Sequence, residues 1–192
     1  DFFTFEVPGA KFMPQYKNRM WDGKIRLFSI QTGEIYVGLL SYIEEFAKRN
    51  EIDIEYKEGV KNGNTIESDG VREFIQRVRP RTRGDDIQVR DYQFDAILHA
   101  IRNDRCLLLS PTASGKSLII YILSVWYAMK TESNILILVP TTSLVEQMHS
   151  DFVDYGFNES MMQKIYQGHS KNITKPITIS TWQSVYKMQK KW

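Results

Sequence analysis

The stretch of residues 106–130 constrains this chain more than any other, because an apolar run leads into a Gly-Lys-Ser turn and then an amphipathic helix. The run 106–109 predicts a strand, and Gly115, Lys116 and Ser117 stand where the helix would begin. Backbone N–H groups at a helix N-terminus bind phosphate, a lysine there reaches the β- and γ-phosphates, and a hydroxyl ligates Mg²⁺. The sequence therefore predicts a phosphate-binding loop that holds ATP with Mg²⁺.

The loop supplies the first set of candidate site residues. Lys116 and Ser117 are the predicted catalytic residues, and Ser117 is the predicted ligand of the nucleotide-bound Mg²⁺. The loop residues expected to hold the nucleotide are Thr112, Ala113, Ser114, Gly115, Lys116 and Ser117. Ser110 stands where the strict motif has glycine, and the Pro-Thr-x-x-Gly-Lys-Ser form resembles the helicase variant of the loop more than the kinase or GTPase variant.

Charge, cysteine content and apolar length exclude several classes of protein. The net charge of +2 is too small to indicate a nucleic-acid partner by itself. A single cysteine, Cys106, permits no internal disulfide and fits a reducing compartment. The most apolar helix, 118–129, is shorter than the ~20 residues that span a bilayer. We therefore expect a cytoplasmic protein without a membrane partner. We also expect a monomer, although none of these features determines the oligomeric state.

The pattern changes along the chain and predicts two domains. Residues 1–80 predict a small α+β domain and 81–86 a linker. Residues 87–192 alternate between helix and strand, and continuous apolar strands such as 135–139 are typical of a parallel sheet covered on both faces. The fold class is thus α/β, a parallel sheet flanked by helices. The remaining elements predicted for this part are helices 91–103 and 142–155 and strands 163–166 and 177–180.

The first domain combines short strands with a basic, aromatic segment. Asp22-Gly23 lies between two strand-like runs and predicts a hairpin. Other predicted elements are strands 2–7, 25–29, 34–38 and 52–56, helices 39–47 and 71–78, and a turn at 31–33. Basic residues interleaved with rings suit phosphate contact and base stacking, which makes candidates of Lys17, Arg19, Trp21, Lys24 and Arg26. The alternative is a solvated hairpin face with Trp21 and Phe28 in a small core.

Upstream of the loop, residues 90–93 (Arg-Asp-Tyr-Gln) resemble the Q motif of superfamily 2 helicases, in which the glutamine reads the adenine edge. A side-chain amide both donates to and accepts from adenine. This resemblance adds Arg90, Tyr92 and Gln93 to the nucleotide site. The alternative is a plain helix start with Asp91 as its N-cap.

Two later stretches resemble the strand-binding motifs of the same helicases. Residues 139–147 resemble motif Ia and residues 179–184 a Thr-x-Gln-Ser segment near motif Ib. Hydroxyls and helix N-terminal amides suit contacts to a nucleic-acid backbone. The resulting nucleic-acid candidates are Pro140, Thr141, Thr142, Gln147, Gly168, Thr181 and Gln183. Thr141 or Thr142 as a mere helix cap is compatible with that role.

Four short stretches carry a closer resemblance: residues 3–5 (Phe-Thr-Phe), 12–14 (Phe-Met-Pro), 21–27 (Trp-Asp-Gly-Lys-Ile-Arg-Leu) and 151–155 (Asp-Phe-Val-Asp-Tyr). Together they are similar to the UvsW family of phage recombination helicases. The resemblance implies an ATP-dependent enzyme that regresses forks, migrates Holliday junctions and unwinds R-loops, in the host cytoplasm. It also implies a RecA-like motor domain after residue 87 and a DNA partner that is branched, single-stranded or an RNA–DNA hybrid.

No Asp-Glu-x-His/Asp motif occurs between Ser117 and Trp192. ATP hydrolysis in this class also needs an acid that holds Mg²⁺, an acid that activates water and an arginine finger. We therefore interpret the chain as an amino-terminal fragment with an incomplete first motor domain, which binds nucleotide weakly and does not hydrolyse it. The alternatives are another superfamily 2 motor (a restriction or repair translocase), a P-loop kinase or nucleotide transferase, and a nonenzymatic binding module.

Overall fold

The computed structural model describes residues 2–57, 66–168, 172–186 and 188. Contacts between residues divide the chain into two compact units, Asp1–Asn62 and Gly63–Trp192. None of the helices among the described residues has both the length and the apolar character needed to cross a membrane.

The first unit pairs its short strands in two separate antiparallel ladders, β1 with β2 and β3 with β4. Its elements are β1 (Thr4–Glu6), α1 (Pro14–Lys17), β2 (Lys24–Arg26), β3 (Phe28–Ser29), β4 (Glu34–Ile35) and α2 (Leu40–Arg49). The predicted turn at 31–33 is confirmed, since it joins β3 to β4 and Gly33 N donates to Ser29 O at 2.8 Å. The helix predicted at 39–47 is confirmed as α2.

The hairpin predicted at Asp22-Gly23 is wrong, because α1 rather than a strand precedes it and β2 pairs with β1. Gly23 still has a backbone conformation that favours glycine, with φ +76°. A Cβ on Gly23 would come within 3.0 Å of the Tyr16 ring, so the glycine also serves close packing. The strand predicted at 52–56 is also absent from the structure.

The second unit contains a three-stranded parallel sheet in the order β7-β9-β8. Its elements are α3 (Ser68–Val78), β5 (Arg81–Thr82), β6 (Asp85–Asp86), α4 (Asp91–Asn103), α5 (Lys116–Lys130), β7 (Ile135–Val139), α6 (Thr142–Asp154), β8 (Met162–Ile165), β9 (Ile177–Thr181) and α7 (Trp182–Tyr186). The central strand β9 is buried along its whole length. This arrangement confirms the predicted α/β class.

Helix α3 belongs to the second unit, so the structure divides the chain at 62/63 rather than at residue 80. Its apolar face supplies Val71 and Phe74 to the core of that unit. The Phe74 ring meets Trp126 of α5 edge-on, with centroids 4.8 Å apart, a geometry that aromatic pairs favour. A short amphipathic helix near a domain boundary packs on the unit that buries its apolar face, and for α3 that is the second unit.

The segment predicted as a linker, 81–86, forms the β5–β6 hairpin instead. Its two turn residues have positive φ, +53° at Arg83 and +91° at Gly84. The Asp154 carboxylate at the end of α6 accepts bonds from Thr82 Oγ1 at 2.5 Å and from Arg83 N at 3.0 Å. These hydrogen bonds, that of Thr82 first, lower the pKa of Asp154. The hairpin is therefore fixed to α6.

The strand predicted at 106–109 is not formed among the described residues. The segment carries no ladder, and Leu107 and Leu109 are 82% and 88% exposed. An apolar run becomes a strand only where a neighbouring strand accepts and donates its backbone hydrogen bonds, and in the described sheet β7 and β8 each pair with β9 and not with residues 106–109.

Candidate nucleotide and nucleic-acid sites

The loop of residues 110–117 ends in helix α5, whose first residue is Lys116. Gly115 is the N-cap in the left-handed conformation, with φ 78° and ψ 39°, and no side chain caps this helix. The first N–H groups of a helix have no acceptor within it, and the helix dipole favours negative charge there. The N-terminus of α5 is thus suited to a phosphate group.

The Lys116 ammonium lies against its own loop. Its Nζ donates to Pro111 O at 2.6 Å and to Ser110 O at 3.3 Å, and the residue is exposed. Both contacts are to neutral carbonyls, so the ammonium can exchange them for phosphate oxygens without losing an ion pair. The structure therefore places Lys116 within the loop, as the motif predicts.

Two hydroxyl pairs organise the loop. The Oγ atoms of Ser110 and Ser114 are hydrogen-bonded to each other, which gives the serine at the departure from the strict motif a direct role in closing the loop. Ser117 Oγ lies 3.0 Å from the Tyr155 hydroxyl, which comes from the end of α6. Burial raises the pKa of Tyr155, so the phenol is neutral at physiological pH. Tyr155 entered the sequence analysis only as the end of a predicted helix and within the family resemblance of residues 151–155, with no role at the loop. A contact between distant helices leaves no local pattern that would reveal such a role.

Residues 90–93 contact the loop directly. Gln93 is buried, its Nε2 donates to Ser114 O at 3.0 Å, and its Oε1 accepts from Arg90 N at 3.0 Å. The Tyr92 hydroxyl donates to the same Ser114 carbonyl at 3.0 Å. The N-cap of α4 is Arg90, so the alternative in which Asp91 caps the helix is wrong. Reading of adenine by Gln93 stays a prediction, and what the structure adds is its grip on the loop.

A groove of about 700 Å³ opens at the edge of the sheet where β7, β8 and β9 end. It brings together six of the seven predicted nucleic-acid residues of this unit: Pro140, Thr141, Thr142, Gly168, Thr181 and Gln183. Gln147 is exposed on α6 and does not line it. Ser184, the serine of the Thr-x-Gln-Ser segment, also lines the groove. So do Tyr166 and Gln167, which the sequence did not indicate because strand pairing brings them there. Parallel α/β sheets bind ligands at this edge.

The described residues that line the groove carry no charge and offer hydroxyls, amides and backbone groups. Thr141 Oγ1 accepts from Leu144 N at 3.3 Å, so it caps α6 while lining the groove. The nearby Lys164 Nζ donates to Glu146 Oε2 at 2.8 Å, and Tyr166 OH donates to Glu146 Oε1 at 2.5 Å. These bonds, that of Lys164 first, lower the pKa of Glu146, and the Glu146 carboxylate raises that of Tyr166. Lys164, which precedes the groove residue Ile165, is thus already paired.

The structure separates the basic candidates of the first unit. Lys17, Arg19 and Trp21 line one open depression of about 670 Å³, together with Lys11, Tyr16, Met20 and Asp22. Lys24 and Arg26 lie on β2 and do not line it, and Arg26 NH2 pairs with Asp22 Oδ2 at 2.5 Å. Trp21 Nε1 donates to Lys24 O at 2.8 Å. Phe28 lines a separate apolar pocket, so the alternative small core shared with Trp21 gains no support.

An uncapped helix N-terminus that carries Gly-Lys-Ser, followed by a parallel sheet with a groove at its carboxyl edge, defines a RecA-like P-loop domain. Residues 86–192 match the family model described as "Type III restriction enzyme, res subunit", and residues 1–57 match "DNA helicase UvsW, N-terminal". The chain is 34% identical over 197 residues to the ATP-dependent DNA helicase uvsW of Enterobacteria phage T4.

Two crystal structures of the phage T4 UvsW helicase are similar to this chain. They superpose with TM-scores of 0.87 and 0.88 at 33% identity, cover 97% of this chain, and are themselves covered to 68% and 39%. The chain belongs to the UvsW family of superfamily 2 helicases. It spans 39% of the length of the curated T4 relative.

Proposed function

We propose that this chain is the nucleotide-binding part of an ATP-dependent DNA helicase that remodels branched DNA: fork regression, junction branch migration and R-loop unwinding. The observation that carries the proposal is the phosphate loop, in which Lys116, Ser117 and the uncapped α5 N-terminus converge. The T4 relative is named an ATP-dependent DNA helicase, which supports the same activity here.

The residues of the loop fit ATP with Mg²⁺. The α5 N-terminus and Gly115 would hold the phosphates, Lys116 the terminal phosphate oxygens, and Ser117 Oγ the metal. Bound Mg²⁺ would neutralise phosphate charge during transfer. Gln93 and Tyr92 would keep the Ser114 carbonyl out of the phosphate space, because both donate to it.

The 192-residue chain is expected to bind Mg·ATP without turning it over, because residues 118–192 lack an Asp-Glu-x-His/Asp motif. Titration calorimetry with ATP and Mg²⁺ measures the binding, and phosphate release with and without DNA measures the turnover. The Lys116→Ala chain, prepared in parallel, is the control for contaminating ATPases. Turnover that disappears in this control would contradict the expectation.

We further propose that the groove of the second unit holds the DNA backbone. Its hydroxyls and amides suit phosphate oxygens and carry no base information. Binding should be compared among single-stranded DNA, forked DNA and an RNA–DNA hybrid duplex. The depression formed around Lys17, Arg19 and Trp21 would add cationic contacts in the first unit.

The two surfaces predict different salt responses. The double substitution Thr142→Ala with Gln183→Ala, both exposed in the neutral groove, should weaken DNA binding several-fold and leave the salt slope unchanged. Lys17→Ala should weaken binding and lower that slope by about 1. Fluorescence anisotropy of labelled DNA across a salt series measures both.

Gln147→Ala is the matched control, since this exposed amide lies outside the groove lining. It should bind DNA as the unsubstituted protein does. A loss at Gln147 equal to that of the groove double variant would contradict the assignment of the groove.

A second candidate function is a restriction-type or repair translocase on duplex DNA. The match of residues 86–192 to the restriction-enzyme family model favours it, whereas the UvsW match of residues 1–57 favours branch remodelling. ATP hydrolysis by the full-length protein on forked DNA and on linear duplex of equal length separates them. Stronger stimulation by the linear duplex would refute branch remodelling. A P-loop kinase is disfavoured because Gln93 and Ser110, the residues that resemble the helicase form of the loop, both make hydrogen bonds to Ser114.

A further inference from the structure

The contact between Ser117 and Tyr155 joins the phosphate loop to the far end of α6. Ser117 Oγ is 3.0 Å from the Tyr155 hydroxyl oxygen, and both residues are partly buried. Ser117 is the second residue of α5, and Tyr155 is the C-cap of α6. The resemblance of residues 151–155 includes Tyr155 but gives no reason for a phenol beside Ser117.

Tyr155 is held from two sides. Its ring packs against Tyr121 of α5 with centroids 5.4 Å apart. Its carbonyl accepts a bond from Arg81 N at 3.3 Å, and the preceding Asp154 carboxylate accepts from Thr82 and Arg83 of the β5–β6 hairpin. The phenol oxygen is therefore fixed with respect to α5 by packing and with respect to α6 by the hairpin.

The chemistry of a serine hydroxyl makes this fixed acceptor consequential. A hydroxyl has one proton to donate and two lone pairs that can accept or ligate. When the Ser117 hydroxyl donates its hydrogen bond to a neighbouring oxygen, the directions of the lone pairs on Ser117 Oγ are fixed as well. The phenol oxygen of Tyr155 carries lone pairs of its own, so at 3.0 Å it can accept a hydrogen bond from Ser117 Oγ.

We propose that Tyr155 is a positioning residue for nucleotide-bound Mg²⁺: its oxygen accepts a hydrogen bond from Ser117 Oγ, which leaves a lone pair of Ser117 Oγ facing the phosphate loop. The ligand remains Ser117, and Tyr155 acts only through it. Similar outer hydrogen bonds orient metal ligands in other proteins. The inference rests on the proposed nucleotide site and adds to it a residue from outside the phosphate loop and the 90–93 segment.

The test compares nucleotide binding by the full-length protein with Mg²⁺ and with EDTA. Tyr155→Phe keeps the ring packing and removes the acceptor. It should weaken binding of a fluorescent ATP analogue about three- to tenfold in Mg²⁺, the effect of one hydrogen bond, and leave binding in EDTA unchanged. Tyr121→Phe, which removes a phenol hydroxyl from the same aromatic cluster, should match the unsubstituted protein in both buffers.

A double substitution then locates the effect. In a Ser117→Ala background, Tyr155→Phe should have no further effect on Mg²⁺-dependent affinity, because the group it orients is gone. Equal losses in Mg²⁺ and EDTA would show a purely structural role and overturn the inference. So would tighter binding by Tyr155→Phe, which would mean that the phenol holds Ser117 away from the metal. Absence of nucleotide binding by the unsubstituted protein would instead refute the proposed function itself.

Discussion

Replacing Lys116 by alanine is expected to lower DNA-stimulated ATP hydrolysis by the full-length protein at least about 100-fold, the usual effect of removing one preorganised donor from a developing charge. The ammonium now donates to the carbonyls of Ser110 and Pro111. Lys116 is the only side-chain cation of the loop 110–117, so no other residue of the loop can supply its positive charge to bound phosphates. Phosphate release at saturating DNA measures the loss.

The loss should be chemical rather than structural. Lys116 is exposed and its contacts lie within its own loop, so thermal unfolding should change little. Lys130→Ala is the matched control, since it removes the same charge from the other end of α5. Lys116→Arg should remain impaired, because a planar guanidinium does not reproduce a compact ammonium. Hydrolysis in Lys116→Ala at the level of the Lys130→Ala control would remove the basis of the proposed function.

The elements predicted residue by residue are those whose patterns are complete within themselves. Helix α4 shows helical spacing of its apolar residues, and β7 is five consecutive aliphatic residues. Both have the predicted bounds, 91–103 and 135–139. In such segments the local signal and the tertiary environment agree, which is why pattern alone is sufficient.

Elements that depend on a distant neighbour were predicted poorly. The apolar run 106–109 reads as a strand as clearly as β7 does, but no described strand pairs with it. The β5–β6 hairpin reads as a linker because its anchor, Asp154, is far along the chain. Pairing and docking are nonlocal, and a single sequence carries no direct record of either.

The same distinction applies to the candidate site. The Gly-Lys-Ser motif predicts the phosphate loop because the backbone geometry and the side-chain chemistry of the loop both come from residues adjacent in sequence. The Gln93 contact with Ser114 and the Tyr155 contact with Ser117 cross between elements, and only the fold reveals them. For Gln93 the sequence indicated a nucleotide role, and the structure adds that its amide fixes the shape of the loop.

That contact makes Gly115 the second position of large expected effect. Its φ of 78° lies in the left-handed region, and a Cβ there would overlap Gln93 Nε2. Gly115→Ala should therefore lower the free energy of unfolding by about 2–4 kcal/mol, through backbone strain and a disturbed buried amide. Nucleotide binding should fall below detection, since the cap of α5 must move. Urea unfolding and analogue binding measure the two effects.

Gly9→Ala is the control that separates backbone strain from steric overlap with the Gln93 amide. Gly9 caps a short helix with φ 75°, and a Cβ there meets nothing within 4 Å. It should cost only about 1–2 kcal/mol of unfolding free energy, the strain of a left-handed residue, and leave nucleotide binding intact. In a double-mutant cycle, the combined cost of Gly115→Ala and Gln93→Ala should be about 1 kcal/mol less than the sum of the two single costs, because the overlapping amide is absent from the double variant. If Gly115→Ala cost no more than Gly9→Ala, or if the two costs were additive, the amide would not be what makes glycine necessary at the start of α5.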